Sequence, residues 1–72
     1  MTSLEIEIQC EVERIILPYQ GKDPFGHGFL WVQTMLGRKF VAAYLCGASD
    51  HTNICDQVKK VAGVDRVWIN MD

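Results

Sequence analysis

Two runs rich in aromatic and β-branched residues, "FLWVQTML" (Phe29–Leu36) and "FVAAYLC" (Phe40–Cys46), are separated only by "GRK". Such residues suit a pleated, half-buried surface, and a short link containing glycine between two such runs predicts an antiparallel hairpin. A hairpin at the centre of a short chain needs other elements to cover it, because two strands alone are marginal in water. What the flanking segments can form therefore decides the fold.

Downstream, "HTNICDQVKKVAG" places Ile54, Val58, Val61 and Ala62 at i, i+4, i+7 and i+8, one face of a helix. Ser49, Asp50, Thr52 and Asn53 are competent to cap its start, and Gly63 stands where a C-terminal glycine belongs. "VDRVWINM" then reads as a last strand. Upstream, Leu4, Ile6, Ile8, Cys10 and Val12 alternate with Glu5, Glu7, Gln9, Glu11 and Glu13. That period of two predicts a half-buried first strand. The consecutive Ile15, Ile16 and Leu17 suggest a bulge near Arg14, and Pro18 ends the strand. Between Pro18 and Phe29, "YQGKDPFGHG" is a ten-residue loop, long for a hairpin connection. The expected fold is α+β: a single domain over residues 1–72, with a four-stranded, mostly antiparallel sheet and one helix packed on one face (β-β-β-α-β). The helix would carry the chain across the sheet in a right-handed crossover and set the last strand beside the first.

Alternation then sorts the side chains. Leu4, Ile6, Ile8, Leu30, Val32, Val41, Ala43, Leu45, Val67, Ile69 and Met71 should lie under the helix. The opposite face should carry Phe29, Trp31, Gln33, Met35, Phe40, Tyr44, Arg66 and Trp68, with the glutamates of the first strand. One helix covers one face, so this second set stays open unless the loop holding Phe25 folds over it. Tyr, Trp and Arg are enriched at binding hot spots, and exposed apolar patches mark interaction sites. The expected contact residues are Glu5, Glu7, Trp31, Met35, Phe40, Tyr44, Arg66 and Trp68, with the glutamates steering a basic partner surface.

Composition narrows the options further. A chain of 72 residues buries only about 60% of the surface its unfolded form exposes. Such domains often add a metal, disulfides or a second subunit. The formal net charge of −2 disfavours nucleic acid as a partner, since phosphate recognition usually brings a basic excess. The uncharged run Gly26–Gly37 is too short to span a membrane. The start "MTSLEIEI" is acidic where a signal peptide would be basic, which places the protein in the cytoplasm. Three cysteines cannot all pair within one chain, and free thiols are expected in that compartment.

Chemistry has one candidate locus, "CGASDHTNIC". Cys46, His51 and Cys55 are zinc-ligand types, but their C-x4-H and H-x3-C spacings match no common zinc-finger pattern. Cys55 near a helix N-terminus, with His51 in reach, is also a candidate thiol with a lowered pKa. "GKDPFGHG" lacks the spacing of a phosphate-binding loop. "CDQVKKVAGVDRVWIN" resembles the helix and second strand of heavy-metal-associated domains. The paired metal cysteines of that family are replaced here by Cys46 and Cys55, with eight residues between them, so no metal function is carried over. No cofactor and no catalysis are expected. The sequence reads as a small protein-binding regulator or inhibitor, a design shared by bacteriophage accessory proteins, with homodimerisation through the open face a further option. The alternatives are a metal or thiol-redox module at Cys46, His51 and Cys55, and a single-stranded nucleic-acid binder stacking bases on Trp31, Tyr44 and Trp68.

Overall fold

The computed structural model describes residues 3–71. Its elements are a helix α1 (Ser3–Ile16), strands β1 (Gly28–Thr34) and β2 (Lys39–Leu45), a helix α2 (His51–Val58) and a strand β3 (Val64–Met71). The α+β class holds, but the sheet has three strands, and the segment expected as the first strand is a helix.

The reason lies in what alternation leaves unsaid. A run that alternates also places residues at i and i+4, and Ile8, Val12 and Ile16 form one buried helical stripe with Glu5 a turn before them. Fourteen residues without glycine or proline, rich in Glu, favour helix over strand. Glu5 in the first turn and Arg14 in the last suit the helix dipole. The consecutive isoleucines are therefore a helix end and need no bulge. Ile6 and Cys10, expected on strand faces, are exposed on the outside of α1. Pro18 stops the helix in a 3-10 turn (Leu17–Tyr19), where its missing N–H costs nothing.

β1 pairs antiparallel with both β2 and β3, in the order β2-β1-β3. The last strand thus lies beside β1, where a position beside residues 4–12 was expected. β2 and β3 are parallel to each other across β1 and are linked through α2. The hairpin turn falls on Met35–Arg38. The Thr34 carbonyl accepts from Gly37 N–H at 2.9 Å, and Thr34 N–H donates to Arg38 O at 2.8 Å. Gly37 has φ +89°, which a side chain there would strain.

Both helices lie on one side of the sheet. Ile8, Val12 and Ile16 of α1 and Ile54 and Val58 of α2 form one core with Leu30, Val32, Phe40, Leu45 and Val64. The loop after Tyr19 is held against residues 46–49: Lys22 and Asp23 N–H donate to Gly47 O, and Ala48 N–H donates to Gly26 O. A Cβ on Gly26 would lie 2.1 Å from Ala48 O, so that close approach requires glycine.

Candidate interaction face

The register of β1 with its neighbours defines the side of the sheet away from the helices. Gln33 lies opposite Lys39 and Arg66, Trp31 opposite Val41 and Trp68, and Phe29 opposite Tyr44 and Asn70. These nine residues form three rows across three strands. Trp31 and Trp68 stack with ring centroids 6.1 Å apart and planes 8° from parallel. Phe29 and Tyr44 meet edge to face at 5.1 Å. Such pairs add about 0.5–1.5 kcal/mol each beyond their area. Phe29 and Tyr44 nonetheless remain 40% and 43% exposed, and Phe25 is 84% exposed, so the long loop does not close over them as a second core.

Four of the expected contact residues lie elsewhere, and others take their places. Phe40 is buried in the core, and Val41 takes its place outside. A bulge causes this: β2 carries the extra residue Ala42 opposite the Leu30–Trp31 step, and one inserted residue reverses the phase of alternation. Ala42 and Ala43 are both buried. Met35 lies beyond the end of β1, exposed in the hairpin turn. Glu5 and Glu7 sit on α1, on the far side of the sheet, so the glutamates expected beside the aromatic residues are absent from this face. Lys39, which the sequence reading missed, joins Arg66 at the Gln33 end. The nine residues of the three rows therefore include four aromatic rings, two cations and no carboxylate.

Glu5 has a structural task. Its buried carboxylate pairs with Arg38 Nε at 2.7 Å and ties α1 to the hairpin turn. Glu7 lines a groove of about 440 Å³ between α1 and the end of α2, with Leu4, Ile8, Glu11, Ile15 and Lys60.

Cys46, His51 and Cys55 do not assemble into a site. Among the described residues no group of three or more His, Cys, Asp or Glu is placed to hold a metal ion. His51 Nε2 lies 2.9 Å from Ala48 O, a geometry in which the ring N–H donates to that carbonyl. Cys46 is exposed at the end of β2, with its N–H donating to Gln20 Oε1 at 2.8 Å. Burial, aided by Asp56 and opposed by Lys59, pushes the Cys55 thiol above its ordinary value of 9.0, opposite to the shift a nucleophile requires. Asn53 and Gln57, on the same helix, donate to Tyr19 Oη at 2.8 and 2.7 Å and anchor the 3-10 turn.

No helix among the described residues is long and apolar enough to cross a membrane. Comparison with known protein families, curated proteins and solved structures finds no match for this chain.

Proposed function

We propose that this protein is a small, non-enzymatic, protein-binding module of the cytoplasm, a regulator or inhibitor that acts through the open face of its sheet. One observation carries this reading: Phe29, Trp31, Tyr44 and Trp68 stand together on the side of the sheet opposite both helices, with Phe29 and Tyr44 half exposed. Clustered aromatic side chains ringed by polar groups are the common anatomy of a binding hot spot. Lys39 and Arg66 at one end favour a partner that presents apolar side chains beside a carboxylate. The glutamates of α1 lie outside this contact.

The test is partner capture by wild-type protein and by three variants with native far-UV spectra. Trp68→Ala and Tyr44→Ala should lose the partner, whereas Glu11→Lys on α1 should keep it. Equal capture by all four would overturn the reading.

A second reading, single-stranded nucleic-acid binding, draws support from the two cations beside the stacked indoles and from the absence of glutamates on the face. Bases stacking on Trp31, Tyr44 and Trp68 would quench tryptophan fluorescence, and the quenching would fade with added salt. A metal or thiol-redox role at Cys46, His51 and Cys55 has the least support, since His51 is engaged with Ala48 and the Cys55 thiol is raised.

A further inference from the structure

The two outer edges of the sheet are treated differently. On β2, Gln20 acts as a substitute strand: its side-chain amide donates to Tyr44 O at 3.0 Å and accepts from Cys46 N–H at 2.8 Å. Gly21 N–H continues the pattern to Cys46 O at 2.9 Å, and Gln9 Nε2 covers Val41 O at 3.0 Å. Among the described residues, the outer edge of β3, which pairs only with β1, is covered only at its first residue, where Val64 N–H donates to Val61 O at 3.2 Å. Unpaired edges are templates for another strand, and proteins usually blunt them with charge, proline or a bulge. β3 has such devices only at its start, where the bulged Asp65 and then Arg66 lie. From Val67 to Met71 it carries no charge and no proline.

We propose that a second copy of this chain occupies that edge, the two β3 strands pairing antiparallel about a two-fold axis at Trp68. The two three-stranded sheets would then become one continuous sheet. In this register Trp68 faces Trp68 of the other copy, Val67 faces Ile69, and Arg66 faces Asn70. No like charges oppose one another, and open face continues into open face. Sliding by two residues would set Trp68 against Arg66 or against Asn70, replacing an aromatic pair with mixed ones. Edge pairing leaves the aromatic face uncovered. It is therefore compatible with the partner binding proposed above, although Arg66 and Trp68 belong to both, and it would double the area offered.

Within one chain Arg66 and Asn70 lie four positions apart on β3, opposite different residues of β1, so their charges can be changed without altering a contact between them. Both are exposed. Sedimentation equilibrium over a concentration series should show wild type shifting from 8.2 kDa to twice that mass. Asn70→Lys, which sets like charges opposite each other twice, should weaken the dimer roughly tenfold. Asn70→Glu should tighten it by a similar factor, and Asn70→Lys combined with Arg66→Glu should restore it. A chain that remains monomeric at millimolar concentration overturns the proposal. So does a dimer indifferent to the charges at 66 and 70, which would pair through another surface. Partner capture that survives loss of the dimer leaves the open-face reading intact.

Discussion

Leu45 and Tyr44 are chain neighbours on opposite faces of one sheet: Leu45 is fully buried under the helices, and Tyr44 is 43% exposed beside Phe29. Hydrophobic content does not separate the two faces, since both are rich in large apolar residues. What separates them is the supply of covering elements. α1 and α2 both pack on the Leu45 side, and the one long loop is spent bracing residues 46–49. A chain of this size has few elements with which to bury apolar surface, so an apolar face left open invites a functional explanation.

The largest expected contrast is between those neighbours. Leu45→Ala should destabilise the fold by about 2–5 kcal/mol, the usual range for a buried Leu truncation, and Tyr44→Ala by under about 1 kcal/mol. Urea midpoints of the two variants check this. Equal losses would mean that Tyr44 belongs to a core and the face is not open. Next in size is the tie between α1 and the hairpin. Arg38→Ala would leave the Glu5 carboxylate buried without its cation, at a cost of about 2 kcal/mol. That is below the 3–5 kcal/mol of a fully enclosed pair, because Arg38 is two-thirds exposed and water reaches its side. Arg66→Ala, on the open face, should stay within about 0.5 kcal/mol.

Trp68→Ala sharpens the comparison from the other side. It removes the stack on Trp31 and should cost only about 1 kcal/mol in stability, while partner capture falls to background. Thermal melts run beside the capture assay read both. The smallest effect concerns Cys55. Burial raises its thiol pKa, so the folded chain holds that proton more tightly than the unfolded one. Its contribution is complete below pH 9.0 and is lost as pH rises through the folded value, so stability should decline slightly on the alkaline side. At neutral pH, iodoacetamide should modify the exposed Cys10 and Cys46 before Cys55. Early labelling of Cys55 would reopen a thiol role for it.

Local patterns of residues were enough to read the central hairpin, the first two turns of α2, the last strand and the presence of aromatic residues on a face of their own. α2 ends at Val58, so Val61 and Ala62, expected on its apolar face, and Gly63, expected at its end, lie beyond it. Each rests on short-range physics: β-branched and aromatic residues suit a pleat, Ile54 and Val58 recur at one helical turn, and Gly63 permits the positive φ that leads into β3. α1 was not legible as a helix. Its alternation pointed to a strand and concealed the helical stripe of Ile8, Val12 and Ile16. The bulge at Ala42 left no local mark, because "FVAAYL" offers apolar residues to either face, and packing under α1 and α2 selects Phe40 over Val41 for burial. The burial of Glu5 was equally out of reach, since its partner Arg38 lies across the fold. Short-range preferences act within a few residues and so were visible in the chain itself. Which face is closed, which edge is capped by Gln20 and which glutamate is buried depend on contacts between distant segments, and only the packed molecule determines them.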